Sequence, residues 1–142
     1  MARLDRYLFP LLALFAGAAG LNAAPAIADD RLLAQYVANL GPEDYVNSGG
    51  KRLTSFAALL AQDRANFHRF GIRHENDGDD PVFSSRAMRA QINPGTVQIP
   101  DHYRQYVANV MASDGRDGGT YMVVYVFGSG DRITRISIDV PG

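Results

Sequence analysis

The chain has 142 residues, with 14 basic and 15 acidic side chains, 46% hydrophobic residues and no cysteine. Lys51 is the sole lysine, and the arginines form neither a block nor a basic face interleaved with aromatics, which excludes an ordinary nucleic-acid-binding surface. The lack of cysteine excludes a disulfide framework, a lipid-attachment cysteine and any thiolate metal site.

Residues 1–28 read as an export signal. Arg3 and Arg6 precede an apolar run from Tyr7 to Leu21, and Ala26-Ile27-Ala28 forms a small-x-small cleavage site ahead of Asp29 and Asp30. The run is short for a membrane span and contains Pro10. An uncleaved anchor is the alternative, and Ala24-Pro25-Ala26 is a second possible cleavage site. Without residues 1–28, which carry Arg3, Arg6 and Asp5, there remain 12 basic and 14 acidic residues, a net charge of −2. The expected product is a single domain over 29–142, periplasmic or secreted, with no stable membrane span after cleavage.

Residues 30–40, DRLLAQYVANL, are expected to form an amphipathic helix with Leu32, Leu33, Tyr36, Val37 and Leu40 on one side and Gly41-Pro42 as its stop. Tyr45-Val46 reads as a short extended piece and Asn47-Ser48-Gly49-Gly50 as a turn. The stretch 53–71, LTSFAALLAQDRANFHRFG, is the strongest helix signal. Thr54 or Ser55 can cap it, Gly71 can end it, and Phe56, Leu59, Leu60, Phe67 and Phe70 share one arc. Alanines on the other side invite a second element to pack closely, so this is expected to be the central helix.

Asp63 interrupts the apolar arc. A carboxylate there needs a partner, Arg31 or Arg52 for example, or else it carries function with a perturbed pKa. The segment Asp63, Arg64, His68 with Arg73 and His74 mixes polar and aromatic groups densely enough to be a buried polar cluster or an interaction surface.

After Gly71 comes an acidic loop, then a short helix over Arg86 to Ile92, an extended piece over 96–99 and an amphipathic helix over 101–112. The run TYMVVYVF at 120–127, a Gly-Ser-Gly-Asp turn and the alternating RITRISIDV at 132–140 read as an antiparallel hairpin. Its first strand is apolar on both faces and asks for cover on both. One pentapeptide, QYVAN, occurs twice, at 35–39 and 105–109, without similarity in the flanks. It reads as coincidence between two amphipathic helices rather than as a repeat.

The chemical motifs fail on inspection. His74-Glu75-Asn76-Asp77-Gly78 lacks the second histidine of a zinc-protease helix, and Gly49-Gly50-Lys51 lacks both the first glycine and the Ser/Thr of a phosphate loop. Gly128-Ser129-Gly130 is neither a dinucleotide fingerprint nor a nucleophile elbow. The acidic loop misses the EF-hand glycine and glutamate, leaving only a looser calcium site through Asp77, Asp79 and Asp80. His68, His74 and His102 have no ligand spacing for zinc or copper.

The resulting expectation is an α+β domain, with three to four helices around a central helix at about 54–70 and a C-terminal antiparallel hairpin at about 120–140. The leading function is a non-enzymatic accessory subunit or interaction module of a larger envelope complex, partnered by a larger envelope protein or by itself, with no cofactor and no nucleic acid. The alternatives are a small hydrolase or metal-dependent enzyme using Asp63 with His68 or His74, and a small-ligand carrier with an aromatic pocket from Tyr36, Phe67, Tyr103 and Tyr106.

Overall fold

A computed structural model describes residues 30–117 and 120–142. The leader expected over 1–28 lies outside the described residues. The element order is β1 (Arg31–Leu40), a 3-10 turn (Pro42–Tyr45), α1 (Phe56–Ala65) running into a wider π-type turn (Asn66–Phe70), α2 (Arg86–Arg89), a 3-10 turn (Asp101–Tyr103) leading into α3 (Arg104–Ala112), and strands β2 (Thr120–Ser129) and β3 (Arg132–Asp139). Mixed helices and a three-stranded antiparallel sheet in the order β1-β2-β3 make this an α+β chain.

The segment 30–40 corrects the expectation of a first helix: it is strand β1. Its apolar residues satisfy both periods. Leu33, Tyr36, Val37 and Leu40 fit a helix, while Ala34, Tyr36, Ala38 and Leu40 fit a strand. Pairing with β2 from Leu32↔Phe127 to Leu40↔Thr120 decides between them, because it satisfies the backbone polar groups and buries the even-numbered set. Among the described residues there are three α-helices, within the three to four expected, and residues 30–40 are not one of them.

Helix α1 starts at Ser55, whose Oγ accepts a hydrogen bond from the Ala58 N–H at 3.2 Å. It ends at Gly71, which takes the left-handed conformation at φ 68° that a side chain would strain. Phe56, Leu59 and Leu60 of α1 join Ala34, Tyr36, Ala38 and Leu40 of β1, Met122, Val124 and Val126 of β2, and Ile133, Ile136 and Ile138 of β3 in one buried cluster. The core therefore lies on one face of the sheet.

Both sheet edges are partly covered, which limits the open pairing sites that edge strands present. Beyond β3, the Gln98 N–H donates to the Ile136 carbonyl and the Ile136 N–H to the Thr96 carbonyl, both at 2.8 Å. Beyond β1, the acidic loop supplies the cover. The Gly78 N–H donates to the Val37 carbonyl at 2.8 Å, and Asp77 Oδ1 accepts from the Asn39 N–H at 2.8 Å. Only glycine fits at 78, since a Cβ there would stand 2.7 Å from the Val37 nitrogen. Among the described residues no helix is long and apolar enough to cross a membrane.

Candidate functional site

Two features offer chemistry, a buried charge network behind the sheet and the open face in front of it. The network begins with Asp63 and Arg64, adjacent on α1 and both almost fully buried. Arg64 Nε donates to Asp63 Oδ2 at 2.8 Å, and its Nη1 donates to the Gly78 carbonyl at 2.9 Å and to Asp80 Oδ2 at 3.0 Å. Its guanidinium lies between two rings, 4.0 Å from the Tyr36 centroid and 4.6 Å from Phe67. His68 Nε2 reaches the same Asp80 oxygen at 2.9 Å, and Asp80 Oδ1 accepts from the Phe83 N–H at 2.6 Å. The partner of Asp63 is thus its sequence neighbour, not Arg31 or Arg52. Arg52 instead donates to the carbonyls of Met111 and Ser113 at the end of α3.

Two carboxylates share one guanidinium here. Burial pushes Asp63 up to about 7, with Arg64 offsetting only part of the effect. Arg64 is held above the ordinary arginine range: burial is the largest influence and would lower it, and Asp63, Tyr36 and Asp80 together outweigh that. A carboxyl group titrating near neutrality is the protonation behaviour of a general acid or base. Yet Asp63 is 1% exposed, and the network closes on itself, tying the loop around residue 80 to α1.

His74 belongs to a second cluster at the end of β1. Its Nε2 is 3.0 Å from Glu43 Oε2, and its Nδ1 is 3.2 Å from Asp44 Oδ2 and 3.7 Å from Asp77 Oδ2. Asp44 also accepts from the Gly41 N–H and from Asn66 Nδ2. Burial would lower the His74 pKa, but the Glu43 hydrogen bond and the surrounding carboxylates raise it overall. Arg73 is exposed and lays its guanidinium on Phe67 at 4.1 Å.

His68, His74 and His102 stand in three different settings, the last stacked on Tyr103 at 4.1 Å. Asp77 and Asp80 are engaged by backbone N–H groups and Arg64. Among the described residues, no three acidic or imidazole groups are arranged to hold a metal ion. The four residues of the imagined aromatic pocket also part: Tyr36 and Phe67 enclose Arg64, while Tyr103 and Tyr106 pair edge to face at 6.5 Å.

The second face of the sheet went unread in the sequence because β1 was taken for a helix. Strand register arranges its side chains in rows. Leu32, Phe127 and Arg135 form the first; Gln35, Tyr125 and Ser137 the second; Val37, Val123 and Asp139 the third; Asn39 and Tyr121 the fourth. Leu32 is 51% exposed and Tyr121 45%, while Val37, Val123, Tyr125 and Phe127 are half-buried. The Arg135 guanidinium lies 3.7 Å over the Phe127 ring. Along β3, Pro100, His102 and Tyr103 rise beside this face and enclose a shallow cleft of about 360 Å³ with Tyr125, Phe127 and Arg135. The available signal was the two-sided apolar character of 120–127, which demands a covering surface for each face.

Compared with known proteins, the chain matches no family model, no curated protein and no solved structure.

Proposed function

We propose that this chain is a small exported, non-enzymatic interaction module, an accessory subunit that docks through the open face of its sheet. The observation that carries the reading is that face itself, an apolar centre of Val37, Val123, Tyr125 and Phe127 with Leu32 and Tyr121 exposed at its ends. Apolar patches of this kind on a small domain mark interaction sites. In this reading, residues 1–28 direct export to the periplasm or the exterior. Helix 54–70 is the centre the other helices pack around, and the 120–140 hairpin presents the docking surface. Asp63, Arg64, His68 and His74 keep that scaffold rigid.

The test is affinity capture from the native envelope with the wild-type chain and with Val123→Lys, which adds a charge to the open face. The expected result is a stoichiometric partner, either a larger envelope protein or the chain itself, that the variant loses while keeping its melting temperature. A partner that survives Val123→Lys would move the docking surface elsewhere. The alternative of a hydrolase using Asp63 with His68 or His74 draws only on the near-neutral titration of Asp63. It would require Asp63→Asn to abolish a measured activity without loss of fold.

A further inference from the structure

The rows on the open face are self-complementary, and from this we infer that the partner of the face is a second copy of this chain. The inference rests on the docking reading above and names its occupant. A two-fold axis lying along the row Gln35, Tyr125 and Ser137, in the plane between two facing sheets, would place the first row of one copy over the third row of the other. Leu32 then meets Val37, Phe127 meets Val123, and Arg135 meets Asp139. Rows two residues apart on a strand are separated by about 7 Å, so on β2 and β3 the first and third rows stand equally far from the axis, while a bulge between Leu32 and Ala34 inserts one residue between them on β1. The match is apolar on apolar along β1 and β2, and cation on anion along β3. An isologous interface requires this relation, in which residue i meets j and j meets i.

The charges are placed to serve it. Arg135 lies 3.7 Å over the Phe127 ring and makes a long contact to Asp30, 3.4 Å from its Nη2. Asp139 is exposed and uses Oδ1 to accept from the Tyr103 hydroxyl. Each group is thus oriented from within its own chain, Arg135 over Phe127 and Asp139 by Tyr103, beside the cleft that Pro100 and His102 border. Residues 96–98 cover the β3 edge at Ile136 and the acidic loop covers the β1 edge at Val37 and Asn39, which disfavours extension of the sheet edge to edge at those positions. Two twisted sheets packed face to face lie about 10 Å apart with strands rotated by roughly 30°, which sends the side chains of the central row between one another.

Sedimentation of the purified protein, in the form the cell accumulates, tests this directly. A dimer is expected at micromolar concentration. Arg135→Asp or Asp139→Arg alone should weaken it tenfold or more, because like charges then face each other. The double exchange Arg135→Asp with Asp139→Arg should restore it to within about threefold, a rescue that only their pairing across the axis explains. A second measurement does not depend on those charges. The chain has no cysteine, so Ser137→Cys carries one thiol at the axis and should be joined to its own copy by a short bismaleimide, while Ser84→Cys should not. A wild-type monomer at about 100 µM, a double exchange no better than the single variants, or Ser137→Cys reacting only with added mono-thiol reagents would each overturn the inference. In a wild-type monomer, loss of a foreign partner on Val123→Lys would leave the docking reading standing, and its absence would remove both.

Discussion

The pentapeptide QYVAN is a strand at 35–39 and a helix at 105–109. In β1, Tyr36 and Ala38 point into the core at 3% and 0% exposure, and Val37 points to the open face. In α3, Tyr106 and Val107 pack together toward the core while Ala108 and Asn109 stand in solvent. The partners of each residue follow. Tyr36 covers the Arg64 guanidinium, whereas Tyr106 donates its hydroxyl to the Tyr121 carbonyl. Asn39 binds the acidic loop through its N–H and its Nδ2, whereas Asn109 accepts from Gln105 one helical turn away. Identical local propensity yields two structures because only the first copy has an unfilled strand, β2, to pair with. The second completes its backbone hydrogen bonds within its own helix while its side chains pack on the sheet.

Matched substitutions at the two copies test that contrast. Tyr36→Ala should cost about 3–5 kcal/mol, since it empties a buried site and strips one face from Arg64. Tyr106→Ala should cost less than half as much, because the ring is half-exposed. Urea unfolding compares them, and equal losses would mean the first copy is not the buried one.

Titration is expected to separate the copies next, since only the first abuts the charge network. The folded-state pKa of Asp63 is about 7, raised above its ordinary value of 3.8. Its contribution to stability is therefore fully present below about pH 4 and is lost as pH rises through about 7. Asp44 and His74, also raised, act in the same sense. The protein should be more stable at about pH 5 than at pH 8, by a few kcal/mol. Asp63→Asn should flatten most of that slope in melting experiments. A slope unchanged by Asp63→Asn would place the titration elsewhere.

Asn39→Ala should cost about 1–3 kcal/mol by freeing the Glu75 carbonyl and loosening the acidic loop from the β1 edge. Asn109→Ala should stay within about 0.5 kcal/mol, as exposed substitutions do. Hydrogen exchange at Gly78 and Asn39 would show the loosening, and full protection in Asn39→Ala would refute the anchoring role.

The smallest effect should reverse in sign between the copies. Among the described residues the buried Tyr36 hydroxyl has no hydrogen-bond partner, so Tyr36→Phe should be neutral or stabilising by up to about 1 kcal/mol. Tyr106→Phe removes a hydrogen bond and should cost about 0.5 kcal/mol. Destabilisation by Tyr36→Phe would reveal a partner for that hydroxyl.

Sequence reading was sound where short-range physics decides. The Ser55 cap, the Gly71 terminus and the mixed helix-and-strand class follow from groups a few residues apart. Asp63 stood out as a carboxylate in an apolar arc, so the need for a partner was legible. Which partner was not, because Arg64 on the same helix turns inward only when Tyr36 and Phe67 enclose it and Asp80 arrives from a loop to share it. The open face was illegible for a related reason: its rows exist only once β1, β2 and β3 are in register, and β1 is separated from β2 by every helix of the fold.

By itself the sequence determined the polar and apolar inventory, the Ser55 start and Gly71 end of the long helical segment, and the absence of thiol chemistry. Only the tertiary structure decided that residues 31–40 are a strand, that the acidic loop guards its edge, and that Arg135 and Asp139 flank one apolar face. The physical reason is that a pattern such as QYVAN satisfies both helical and strand periods, and backbone hydrogen bonding to a distant strand tips the balance.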